Sequence, residues 1–234
     1  MKLSKPLTLG FAALCLVLAL ETFTNTDVWL QNYFYDAANM QWLINPLRHK
    51  ELTVFFYDGL KQALMIFAAC CLLNLLLSVK IGTLRQYNHF CVVMLLSFIL
   101  VPTIVAGAKY YTNVYCPYQL DIYNGAYPFV RVLESYPADF VQTKIGKCFP
   151  AGHATAGFAF MGLFYAFRQR ANRRLGLAIG LGLGWMAGIY QMLRGQHFLS
   201  HTLFSMIASF MLIMVAAKLT ELLEHKFPQL LRKA

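Results

Sequence analysis

The sequence predicts an all-α membrane protein, with six transmembrane helices in one bundle and both termini in the cytoplasm. Three observations carry this. Of 234 residues, 59% are apolar and 13% charged, with a mean hydropathy of +0.52; a soluble domain carries about a quarter charged residues. The apolar residues fall in six blocks near the roughly 20 residues that a hydrocarbon core of about 30 Å requires. The excess of 20 Lys+Arg over 10 Asp+Glu is distributed between those blocks unevenly.

The blocks run approximately from Pro6 to Thr22, Leu60 to Val79, Phe90 to Gly107, Ala154 to Phe167, Leu175 to Leu193 and Leu199 to Leu219. The first follows Met1-Lys2-Leu3-Ser4-Lys5, which invites a signal-peptide reading. Its end, Glu21-Thr22-Phe23-Thr24-Asn25, lacks a small-x-small cleavage site, so a retained helix is expected. The fourth is short and reaches spanning length only if its helix begins near Gly152 or His153. The fifth carries Gly176, Gly180, Gly184 and Gly188 at four-residue spacing, a pattern that lets helix backbones approach closely in lipid. That helix is expected at the centre of the bundle, and the whole chain, 1–234, reads as a single membrane domain.

Orientation follows from the cations in short connections. With the N-terminus inside, Lys2, Lys5, Lys80, Arg85, Arg168, Arg170, Arg173, Arg174, Lys218, Lys226, Arg232 and Lys233 are cytoplasmic. Most of the charge of +10 is thereby explained by topology, and nucleic acid drops out as a partner. The outside receives loops at about Phe23 to Gly59, Ala108 to Gly152 and Arg194 to Ser200. The first contains Trp29, Tyr33 and Trp42, residues that favour the headgroup layer, and a helix lying along the interface is expected there.

Ionisable residues at helix mouths of a membrane protein are functional candidates. His153, His197 and His201 all fall at outer helix ends, accompanied by Lys109 and Arg194. His153 stands in Pro150-Ala151-Gly152-His153, where Pro suits a helix start. The unpaired N–H groups of a first helical turn suit an anion. His197 and His201 stand in Arg194-Gly195-Gln196-His197-Phe198-Leu199-Ser200-His201. Their i, i+4 spacing also suits a metal pair, with His153 or a carboxylate as third ligand; the expectation is that no metal or cofactor is used.

These residues resemble the type-2 phosphatidic acid phosphatase family, integral-membrane lipid phosphatases related to vanadium haloperoxidases. That family's pattern is Lys, six residues, Arg-Pro; then Pro-Ser-Gly-His; then Ser-Arg, five residues, His, three residues, Asp. Here Lys109 is followed after six residues by Cys116-Pro117, Pro150-Ala151-Gly152-His153 has Ala for Ser, and His197 is preceded by Tyr190-Gln191 and followed by His201 in place of Asp. The resemblance covers about Lys109 to His201 and implies a catalytic core over about residues 60–222.

The resemblance implies hydrolysis of a lipid phosphate or diphosphate on the periplasmic or outer face of a bacterial-type inner membrane. His197 would form a phosphohistidine, His153 would protonate the leaving oxygen, and Lys109, Arg194, Gln191 and the backbone at Ala151 and Gly152 would hold the phosphoryl group. His201 would accept a hydrogen bond from His197 and fix its tautomer. Failing that, Asp58, Asp121 or Asp139 would supply the missing carboxylate, or the enzyme would work without one. Alternatives are a lipid phosphotransferase with the same intermediate and a non-catalytic lipid-binding protein. The partner is a phosphorylated membrane lipid; the oligomeric state is open.

Cys15, Cys70, Cys71 and Cys91 lie in apolar blocks and read as small hydrophobes. Cys116 and Cys148 bracket the second outer loop, where disulfides persist. A Cys116–Cys148 disulfide is expected, closing a loop of about 30 residues worth about 3 to 4 kcal/mol by the chain-entropy model.

Overall fold

The computed structural model describes residues 3–45 and 48–231, apart from the side chain of Tyr57. Lys2, Arg232 and Lys233, assigned above to the cytoplasmic side, lie outside the described residues. The chain opens with α1 (Ser4–Phe23) and α2 (Thr26–Asn32), followed by a short antiparallel pair, β1 (Tyr35–Asp36) and β2 (Gln41–Trp42). Next, α3 (Lys50–Thr53) runs through a π-helical stretch, Val54–Gly59, into α4 (Leu60–Ser78). A 3₁₀ stretch, Gly82–Tyr87, leads into α5 (Asn88–Thr112). After a long loop come α6 (Gly152–Phe158), a 3₁₀ stretch at Ala159–Gly162, α7 (Leu163–Ala166), α8 (Arg170–Leu193), α9 (Leu199–Lys226) and α10 (Pro228–Leu231).

Five stretches among the described residues are long and apolar enough to cross a membrane: Ser4–Phe23, Lys50–Ser78, Gly82–Gln119, Arg170–Leu193 and Leu199–Lys226. The fourth apolar block takes another form. It is three short helical pieces placed end to end, α6, the 3₁₀ stretch and α7, which together rise about 25 Å. Ala154, Phe158 and Ala159 within it are fully buried, because α5, α8 and α9 pack around it.

The glycine stripe of α8 makes that burial possible. A Cβ on Gly180 would lie 2.2 Å from the Met161 backbone nitrogen, and one on Gly184 would lie 2.0 Å from the Phe158 ring. Gly182, off the stripe, meets nothing within 4 Å. Below this contact Phe67, Phe98 and Phe160 pack edge to face with ring centroids 5.0 to 5.7 Å apart.

The two ends of the bundle are tied differently. At the end where α5 begins, His89 Nδ1 meets Glu224 Oε1 at 2.8 Å and its Nε2 meets the Tyr165 carbonyl at 3.1 Å. Asn88 Nδ2 donates to Ser78 Oγ and to the Leu230 carbonyl. At the other end the long loop forms a second core in which Tyr115, Leu120, Tyr123 and Phe198 are buried against Tyr35, Trp42 and Tyr127. Arg131 from this loop donates to the Glu21 and Thr24 carbonyls and to Asn25 Oδ1, capping the C-terminus of α1.

Candidate active site

Three chain segments carry the site at the loop end. The first is the last turn of α5, which continues to Thr112, past the Gly107 limit read from hydropathy, so Lys109 is helical and not a loop residue. Its long side chain lies against Gly152: a Cβ there would sit 2.8 Å from both Lys109 Cε and Nζ. Gly152 is thus required for the ammonium to reach the start of α6, beside His153.

The second segment returns the long loop to α6. Cys148 N donates to the Val114 carbonyl at 2.9 Å, and Cys116 and Cys148 are joined in a disulfide with a Cα–Cα distance of 5.0 Å. Cys148, Phe149 and Ala151 are buried. The Ala151 N–H donates to the His201 carbonyl at 3.2 Å. That amide is therefore already used, which corrects the expectation that it contacts a phosphate.

The third segment is the tight connection between α8 and α9. Gly195 has φ +69°, a left-handed conformation that favours glycine, and a Cβ there would lie 2.3 Å from the Trp42 ring. The carbonyls at the end of α8 are capped from the first loop: Gln31 Nε2 donates to Met192 O at 2.8 Å and Ile44 N to Leu193 O at 3.2 Å. Arg194 follows, its guanidinium 5.3 Å above the Tyr190 ring, while Tyr190 Oη bonds Thr53 Oγ1 at 2.7 Å. Arg194 Nε and Gln191 Oε1 are buried without a hydrogen-bond partner. The charges of Lys109 and Arg194 both act on His153.

His197 occupies the centre, 2% exposed. Its Nε2 lies 3.4 Å from His153 Nδ1 and its Nδ1 lies 3.4 Å from Cys148 Sγ. Burial, reinforced by the positive charge of Lys109 and by the neighbouring imidazoles, holds His197 well below the usual histidine range, so it is neutral at neutral pH. His201 is equally buried, but its ring meets His197 edge-on at 5.8 Å and its Nδ1 has no partner. The expectation that His201 accepts from His197 is thereby corrected. Phe198, extended at φ −81° and ψ 169°, lies between them, so the spacing crosses a helix start and does not place both rings on one helical face. The i, i+4 metal pair fails for the same reason. Cys116, Cys148 and His197 do bring their potential ligand atoms within 4.8 Å of one another, but sulfurs joined in a disulfide are not the thiolates that bind metal.

None of Asp58, Asp121 and Asp139 bonds His197 or His201. The carboxylate that arrives is Asp27 of α2, in the first loop: Oδ1 accepts from Ser200 N at 2.9 Å and Oδ2 accepts from Ser200 Oγ. Burial pushes its carboxyl up from the ordinary aspartate value. It caps α9 one residue from His201. The sequence carries one faint signal of it: Phe198, at the cap position, has no oxygen to offer the first N–H groups of α9. A cavity of about 350 Å³ runs from Gly152 and His153, past Pro102, to Leu64 and Met65 of α4. Met65 is exposed on the outside of the bundle, in a helix of membrane-crossing length.

Lys109, Gly152, His153, Arg194 and His197 thus converge, with two cations and two imidazoles and no carboxylate bonded to His197: an environment made for an anion. The sequence matches the PAP2 superfamily over residues 86–223, more than half the chain. The protein belongs to that superfamily, a family of phosphatases, and its five long apolar helices give it the make-up of a multi-pass membrane member. No curated protein and no solved structure matches the chain.

Proposed function

We propose that the protein is a membrane lipid phosphatase, metal-independent, acting on a lipid phosphate or diphosphate at the outer, periplasmic face of a bacterial-type inner membrane. The observation that carries the lipid assignment is the cavity joining His153 to Met65. One end is lined by Gly152 and His153, and the other lies between Leu60, Leu64 and Met65 on the flank of α4, with Lys61 beside them. A phosphate head and an acyl or prenyl tail fit such a passage, whereas a free sugar phosphate has nothing to place in its apolar half.

In this reading the Nε2 lone pair of His197 attacks phosphorus as the P–O bond to the lipid breaks, and His153 gives its proton to the departing oxygen. Water then attacks the phosphohistidine, His153 takes a proton from it, and the P–N bond breaks to release phosphate. Lys109 and Arg194 hold the equatorial oxygens, the main catalytic task in phosphoryl transfer. Arg194 approaches from a position one turn from Gln191, where the family pattern places its Arg.

Phosphate release from mixed bacterial lipids by wild type, His153→Ala and His197→Ala, with vanadate as inhibitor, tests the proposal. Loss of vanadate-sensitive release in both variants supports it. Equal release in all three overturns it, and transfer of labelled phosphate to a lipid hydroxyl instead of water would convert it to a phosphotransferase.

A further inference from the structure

A neutral imidazole carries one proton on two nitrogens, and only the nitrogen without it is a nucleophile. Which nitrogen that is depends on what faces the other, commonly a carboxylate or a carbonyl. Among the described residues no carboxylate faces His197. The groups that do are His153 at Nε2 and, at Nδ1, the Cys148 sulfur 3.4 Å away. The His201 ring stands edge-on and further off.

That sulfur is an acceptor only, since a sulfur bonded to Cys116 carries no proton. For the same reason the 2.7 Å approach of Cys148 Sγ to the Gln196 carbonyl is a close contact and not a hydrogen bond. Nothing beside Nδ1 has a proton to give it, so Nδ1 must carry its own and the lone pair is left on Nε2, toward His153 and the cavity.

We propose that the Cys116–Cys148 disulfide is the positioning device for His197, its acceptor-only sulfur filling the place of an orienting carboxylate that none of the described residues supplies. The inference rests on the reading of His197 as nucleophile. It follows that the state of the disulfide controls the nucleophile. When a dithiol reduces it, two electrons and two protons pass to the pair, the S–S bond breaks and the reductant becomes a disulfide. Cys148 then has an S–H with two acceptors in reach, His197 Nδ1 and the Gln196 carbonyl. Each molecule in which that proton points at Nδ1 has its proton on Nε2 and is inactive.

The test compares Cys116→Ser, which leaves a thiol at position 148, with Cys116→Ser/Cys148→Ala, which leaves no S–H at all. Both lose the same cross-link and both should melt at the same lowered temperature. In full-length protein in detergent, kcat of the single variant should fall about tenfold or more, below the ~10⁴-fold that complete loss of tautomer control costs a comparable imidazole. The double variant, with no S–H to misplace the proton but also no sulfur to accept from Nδ1, should recover part of it, with KM little changed. In ¹⁵N-histidine spectra His197 should be purely Nδ1–H in the oxidised protein and mixed after dithiothreitol. Equal kcat in the two variants, with an unchanged Nδ1–H signal on reduction, reduces the disulfide to a staple and overturns the proposal. The spectra need no turnover, so they decide this inference even if wild type proves inert to every lipid phosphate and the phosphatase reading itself fails.

Discussion

The bundle carries buried or half-buried histidines at both ends, and they are held in opposite ways. His89 has both ring nitrogens engaged, by Glu224 at 2.8 Å and by the Tyr165 carbonyl at 3.1 Å, with Arg168 adding its charge 3.7 Å from the same carboxylate. His197 has imidazole and sulfur around it, and among the described residues neither Lys109 nor Arg194 is paired with a carboxylate. A histidine with a resident anion is a clamp between helices. A cluster of imidazoles and cations without one has room for an anion that arrives, and a phosphoryl group is the natural guest.

The largest expected effect breaks or keeps that contrast directly. His197→Ala and His153→Ala should each lower phosphate release by about 10³-fold or more, in the range by which positioned acid–base and nucleophilic groups act. His89→Ala should leave kcat within about twofold and lower the melting temperature instead. Equal losses of activity from both ends would mean that the clamp and the cluster do not differ in kind.

Gly152→Ala asks whether the cations belong to the site. The new Cβ would stand 2.8 Å from Lys109 Nζ and Cε, and since that is the far end of a flexible chain, the ammonium moves and the backbone stays. The expected outcome is a loss in kcat/KM of roughly 10- to 100-fold, the size of one displaced charge-assisted contact, with little change in melting temperature. An unchanged kcat/KM would detach Lys109 from the substrate.

Much of the scaffold was legible because membrane-crossing helices advertise themselves as long apolar runs, and the glycine stripe of α8 names its own packing face. The broken fourth block was not legible, since hydropathy measures apolar content and not whether a rod is continuous. In the site, His153, His197, Lys109 and Arg194 could be read from local motifs. The bond from Asp27 to Ser200 spans more than 170 residues, and the neighbour of His197 Nδ1 comes from a different loop. Contacts that fold topology creates leave no local pattern: no aspartate among the described residues bonds His197, and the group beside its Nδ1 is a sulfur.

Acid sharpens the comparison. His197 is held well below its ordinary value in the folded protein mainly by burial, while in the unfolded chain it titrates near 6.5. Between those values the unfolded state binds the extra proton, so stability is full above about pH 6.5 and falls as the pH drops, by at most about 1.4 kcal/mol per pH unit for this group. Melting temperatures between pH 7.5 and 5 should fall for wild type and fall less for His197→Gln. Parallel curves would mean that His197 does not resist protonation.

The smallest effect belongs to Asp27, and it separates cap from chemistry. Its carboxylate satisfies Ser200 N and Oγ at the start of α9, a borrowed cap, and truncating a cap costs about 1 to 2 kcal/mol. Asp27→Ala should therefore lower stability by about that amount and, by loosening the turn that carries His197 and His201, lower kcat a few-fold with KM unchanged. Asp27→Asn keeps an oxygen for Ser200 N but loses the charge beside the helix N-terminus, and should fall between the two. If Asp27→Asn were as inactive as His197→Ala, the carboxylate would act on the substrate or the nucleophile itself, and the cluster at the loop end would have the resident anion that distinguishes the clamp at the other.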